Sequence, residues 1–161
     1  KDPLKKCNTK PTKPTKPLTT TTVTTTTTWS FPSLFCYCVT GTQGPEPELV
    51  RKQIKNKWGI FNCDEYTVLS HGGKAWLADD WFATPIPAPE EHMGNTAAGA
   101  ATSSWLNTLT FLKAWELIMK DYRFRSHDWT IKADPDAVIF PWRVKHMVKP
   151  YSPPAPKGAK K

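Results

Sequence analysis

Two aspartates one residue apart, Asp134 and Asp136, close an apolar-alternating run that starts at Trp129, and the apolar stretch Ala137-Val138-Ile139-Phe140 follows them. In an extended strand residues i and i+2 face the same side, so both carboxylates are expected to aim at one point. Pro135 favours this geometry, because the residue before a proline is driven out of the helical region. Two hard oxygen ligands at a rigid strand end suit Mg²⁺ or Mn²⁺, and such an ion can in turn hold phosphates. Asp134 and Asp136 are therefore the candidate metal ligands.

A strand over 129–133 must be held by other elements, and the chain supplies a consistent set. Residues 34–40 are almost continuously apolar, the pattern of a strand buried on both faces. A loop over 41–45 follows. Pro47 is expected to open a helix carrying Leu49, Val50, Ile54 and Trp58, with Gly59 at its C-terminal cap. Residues 60–69 read as the next strand, which makes a β-α-β unit and a largely parallel sheet. Residues 70–104 are irregular, with Trp76, Trp81 and Phe82 as anchors, and His71-Gly72-Gly73-Lys74 reads as a turn. The spacing predicts a helix over 107–121 whose Phe111, Leu112, Trp115, Ile118, Met119 and Tyr122 face the core. A short helix is expected around 142–148. The expected fold is α/β and Rossmann-like, with 34–40, 60–69 and 129–133 as neighbours in one mostly parallel sheet and helix 107–121 packed on it.

The two ends differ from this body. Residues 1–30 combine three Thr-Lys-Pro repeats with a run of threonines. Such a segment buries too little apolar area to offset its ordering entropy, so a disordered stalk or linker is expected there. Pro- and Thr-rich tracts also suit stalks in the secretory pathway. Residues 31–148 form the expected domain, and 149–161 read as a Pro/Lys-rich loop or tail. The chain carries a net charge of +8 over 161 residues. Six lysines against Asp2 in residues 1–17, and three lysines in 157–161, account for all of it. The body is neutral, so the charge reads as basic tails and not as a nucleic-acid footprint. No run of about 18 apolar residues is present, so no membrane span is expected in this segment. The chain opens on Lys1, which reads as a fragment or a processed product. Of the four cysteines, Cys36 and Cys38 are two apart, a spacing unlike a zinc ribbon. Cys36, Cys38 and Cys63 are expected as small buried thiols.

Asn107-Thr108, the Phe111/Trp115 helix, and then Asp128-Trp129-Thr130-Ile131-Lys132-Ala133-Asp134-Pro135-Asp136 resemble the GT-A glycosyltransferases of the galactosyltransferase/fringe group. The likeness is specific over about 106–148 and only topological over 33–69. It implies the nucleotide-sugar-binding half of a GT-A fold, whose acidic motif holds Mn²⁺ (or Mg²⁺) against the diphosphate of a UDP-sugar. By position Asp134 and Asp136 take the outer places of that motif, with Asp136 the direct ligand, and Lys132 matches the lysine before it. Lys132, Thr42 and Asp64 are then the substrate-binding candidates. The resemblance further implies a glycan or glycoprotein acceptor and a Golgi-lumenal or secreted protein. Pro135 stands where the family has a central aspartate. Only 25 residues follow Asp136, so the acceptor half and catalytic base of that family have no counterpart in this chain.

Two other readings use the same residues. Asp134-x-Asp136 after an apolar strand also matches the opening motif of haloacid-dehalogenase-type phosphatases, with Asp134 as nucleophile and Asp136 as acid/base. That motif begins its domain, and the residues after Asp136 do not contain the remaining core. The eight tryptophans and the Thr/Pro stalk suit a secreted carbohydrate-binding module or an inactive transferase relative, with Trp76, Trp81 and Trp142 as sugar-stacking candidates. A binding module needs no metal, whereas a donor site does. His127-Asp128 lacks a serine or cysteine in a nucleophile context.

Overall fold

A computed structural model describes residues 30–88, 92–104 and 106–154. The stalk expected over 1–30 lies outside these residues except for Ser30, and so does the end of the tail beyond residue 154. Among the described residues, nine α-helices and strands follow in order, besides four short 3-10 turns: β1 (Leu34–Thr40), α1 (Pro45–Asn56), β2 (Glu65–Ser70), β3 (Trp76–Ala78), β4 (Trp81–Phe82), β5 (Thr84–Pro85), α2 (Thr108–Asp121), β6 (Trp129–Lys132) and α3 (Pro141–Val148). Four strands form one sheet in the order β5-β2-β1-β6, all parallel. The protein is thus mixed α/β, an arrangement compatible with a Rossmann-like half-domain. Among the described residues no helix is long and apolar enough to cross a membrane.

β1 is buried along its whole length and divides the core by alternation. Leu34, Cys36 and Cys38 face the cluster built with Val50 of α1, Ile60, Phe61 and Val68. Phe35, Tyr37 and Val39 face the cluster built with Ala114 and Ile118 of α2. The near-continuous apolar run is what a central parallel strand requires. Pro85 sits in the edge strand β5, where a missing N–H is tolerated.

The structure corrects four expectations. First, α1 starts at Pro45 and ends in a left-handed Lys57 (φ 54°), not at a Gly59 cap. The Lys57 and Trp58 amides donate to the Ile54 and Gln53 carbonyls, closing a Schellman turn. Second, Gly59–Asn62 is a 3-10 turn, and β2 begins only at Glu65. A strand would send Ile60 and Phe61 to opposite faces, whereas the turn buries both in one cluster. Third, Cys36 and Cys63 form a disulfide, and only Cys38 is a buried thiol among the described residues. Fourth, α2 presents Thr110, Ala114 and Ile118 to the sheet, while Leu112, Trp115, Met119 and Tyr122 stay exposed. Small side chains at 110 and 114 let the helix approach the sheet closely. Trp115 reaches only the edge of the Tyr37 ring, at 5.5 Å between centroids.

The ordered body also runs past residue 148. Trp129 Nε1 donates to Ser152 Oγ at 2.7 Å, and that hydroxyl donates to the Val148 carbonyl at 3.0 Å. The first residues of the expected tail are therefore packed at the start of β6.

Candidate functional site

Parallel strands leave their carboxyl ends on one edge, and ligands collect there in open α/β sheets. β1 outruns β6 at this edge. Tyr37 pairs with Lys132, the Ala133 amide makes a last rung to the Tyr37 carbonyl at 3.0 Å, and β1 continues to Thr40 paired only with β2. Residues 134–137 then turn instead of extending. The Ala137 amide donates to the Asp134 carbonyl at 3.0 Å, with Pro135 and Asp136 at the corner, a favoured place for proline. The strand-like projection of the two aspartates is thus corrected to a tight turn. Pro135 is buried, and Gln53 Nε2 of α1 holds its carbonyl at 2.7 Å. Asp134 and Asp136 flank this anchor, both exposed.

Both aspartates nevertheless line one cleft of about 320 Å³, together with Lys132, Glu46, His71 and Asn107. The Lys132 ammonium pairs with Asp134 and lies 4.1 Å from the centroid of the Phe111 ring. Asp136 has no hydrogen-bond or ion-pair partner among the described residues. Glu46, in the first turn of α1, accepts the Gly41 amide at 2.8 Å and so fixes the loop after β1. Cys38, next in the chain to Val39 of the cleft lining, is buried. Burial pushes its thiol up to about 12, the Glu46 and Asp134 carboxylates push the same way, and Lys132 opposes them.

Of the five candidate residues, the fold brings three together: Asp134, Asp136 and Lys132. Thr42 lies on the same edge but turns to the 71–73 bend, where a Cβ on Gly72 would sit 3.6 Å from its hydroxyl. Asp64 lies at the other edge of the sheet. Its carboxylate accepts the Leu34 amide at 2.7 Å, the Ser30 hydroxyl at 2.9 Å and the Lys145 ammonium at 2.6 Å. That is a structural role at the start of β1, not contact with a ligand in the cleft. Glu46, His71 and Asn107 were not singled out for the site from sequence. His71 directly follows β2, Asn107 directly precedes α2 and Glu46 lies in the first turn of α1, so each sits where an element meets this edge.

No family model, curated protein or solved structure matches the chain. The chemistry of the cleft therefore stands on its own geometry.

Among the described residues no three acidic, histidine or cysteine side chains converge as a ready metal cage. Two carboxylates on one turn are still a fitting donor set for a hard divalent ion completed from outside the protein. Mg²⁺ in particular is commonly held by one or two carboxylates plus the phosphates of a substrate. Asp136, unpaired among the described residues, fits direct ligation better than Asp134, which shares its charge with Lys132.

Proposed function

We propose that this domain is the nucleotide-sugar-binding half of a metal-dependent glycosyltransferase of GT-A type, with a UDP-sugar as donor and a glycan or glycoprotein as acceptor. The observation that carries the reading is the placement of Asp134, Asp136 and Lys132 in one cleft at the carboxyl edge of a parallel sheet. Mn²⁺ or Mg²⁺, when bound, supplies charge neutralisation to a departing diphosphate. Asp136 and Asp134 would hold that ion. Lys132 can swing from Asp134 to a phosphate oxygen, a compact cation serving as a point-charge phosphate binder. Phe111 limits where the ammonium can go. The Cys36–Cys63 disulfide supports a secretory-pathway location, since such bonds persist in oxidising compartments.

Titration calorimetry with UDP, with and without Mn²⁺, tests the reading. The wild-type chain is expected to bind UDP only when Mn²⁺ or Mg²⁺ is present. Asp136→Ala should abolish that binding, and Lys132→Ala should weaken it. Equal UDP affinity in wild type and Asp136→Ala, or binding that ignores the metal, would rule the donor site out.

A further inference from the structure

A second cleft, of about 400 Å³, shares Asp136 with the first and runs between α1 and the segment leading into α3. Its size falls in the range of small-molecule sites. Three large rings line it and remain half or more exposed: Trp58 at 61%, Phe140 at 50% and Trp142 at 63%. A ring with an apolar face and a polar edge suits an amphipathic partner. Two side-chain amides, Gln53 and Asn62, also line it. The charged lining is one cation, Lys57, and one anion, Asp136, so the cleft favours neither sign.

We propose that this cleft binds a neutral pyranose oligosaccharide, its C–H faces stacked on Trp58 and Trp142 and its hydroxyls bonded to the Asn62 amide and to the Gln53 amide oxygen, the Gln53 nitrogen being held by the Pro135 carbonyl. Each part of the lining argues for that class. Rings give stacking without sequence of charge, amides give donors and acceptors together, and balanced charge disfavours phosphates and acidic glycans. The exposed patch on α2 differs in kind. Leu112, Trp115 and Met119 there are flanked by Glu116, Lys120 and Arg125, with no side-chain amide among the residues that line it. Because Asp136 borders both clefts, a saccharide seated in the second would lie beside whatever occupies the first. Its role as acceptor rests on the transferase reading. Its binding does not.

The test is metal-free. Indole N–H signals of the ¹⁵N-labelled chain are followed in EDTA with chitotetraose, maltotetraose and uridine as separate probes. At millimolar concentration, at least one tetrasaccharide should move the Trp58 and Trp142 signals and leave Trp115 in place. Trp58→Ala and Trp142→Ala should each weaken binding about tenfold, and Trp115→Ala should not. All three residues are exposed, so the variants are expected to fold, which their amide spectra will show. No shift with either tetrasaccharide overturns the proposal. So do shifts with uridine alone, which would mark a nucleoside cleft, and shifts that follow protein concentration, which would mark self-association. UDP binding with Mn²⁺ is read separately, so either site can fail without the other.

Discussion

At the amino edge of the sheet every described acid is tied down. Asp64 caps the Leu34 amide and pairs with Lys145, and Asp128 takes the Ser33 amide at 2.7 Å and the Ser33 hydroxyl at 2.9 Å. Glu65 lies 2.9 Å from His127 Nε2 and 3.0 Å from an Arg123 guanidinium nitrogen. That guanidinium is also gripped by Asp121, and the hydrogen bond to Asp121 is the main reason it holds its proton more tightly than usual. At the carboxyl edge Asp134 and Asp136 stand in solvent with a single lysine between them and a cleft. The same residue type therefore serves two ends. Where strands begin, carboxylates satisfy backbone donors and fix register. Where strands end, Glu46 still holds the Gly41 amide and Lys132 pairs with Asp134, but Asp136 is exposed without a partner among the described residues.

Removing the covalent tie behind the amino edge should have the largest effect. Cys63 immediately precedes Asp64, and its bond to Cys36 closes a loop of 27 residues. The double change Cys36→Ala, Cys63→Ala is expected to cost about 3.5 kcal/mol by the loop-entropy relation. Urea unfolding followed by circular dichroism measures it. A loss below about 1 kcal/mol would mean that the edge is held by its hydrogen bonds alone.

Next comes Asp64→Ala, with an expected loss of about 2–3 kcal/mol. Lys145 is 18% exposed and Asp64 10%, so the change strands a mostly buried ammonium and an unpaired Leu34 amide. The same melts with Asp64→Asn should recover part of that loss, because an amide oxygen can still accept from Leu34. A neutral Asp64→Ala would break the contrast between the two edges.

The middle of β1 gives a pH-dependent effect that is smaller near neutrality. Burial raises the Cys38 thiol from 9.0 to about 12 and the Tyr37 hydroxyl from 10.0 to about 12. Below pH 9 both groups are protonated whether the chain is folded or not, and their contribution is fully present. Between about pH 9 and 12 the unfolded chain releases these protons first, so stability falls as pH rises. Urea midpoints across that window should drop less steeply for Cys38→Ala than for wild type. At pH 8 iodoacetamide should leave the Cys38 peptide unlabelled in the folded chain, read by mass spectrometry.

The smallest effect on stability is expected where the effect on binding is largest. Asp136→Ala should shift unfolding by no more than about 0.5 kcal/mol, as befits an exposed carboxylate without partners among the described residues. A cost above about 1.5 kcal/mol would show that the acidic turn is a structural device like Asp64.

The chain announces some of this arrangement and conceals the rest for physical reasons. β1 and β6 are legible because burial on both faces, or alternation into two aspartates, writes directly into residue type. The span of α2 is legible too, but its buried face is not. Trp115 and Met119 carry the larger apolar side chains, while close packing on a sheet selects the smaller Thr110 and Ala114. The start of β2 is hidden by a disulfide that holds Cys63 in place before the strand begins. A strand that starts at Glu65 leaves Asp64 at the opposite edge from Asp136. The acidic pair is local in sequence and can be found by spacing. Glu46, His71 and Asn107 join it from three other parts of the chain, so only the folded sheet edge gathers them.

Ser30 bonds to Asp64, and Ser152 bonds to Trp129, the partner of Leu34 in the first register step of β1 and β6. Both points where the described body joins its flanking chain are thus anchored beside the starts of the strands. Both junctions therefore lie at the opposite end of the strands from the acidic cleft.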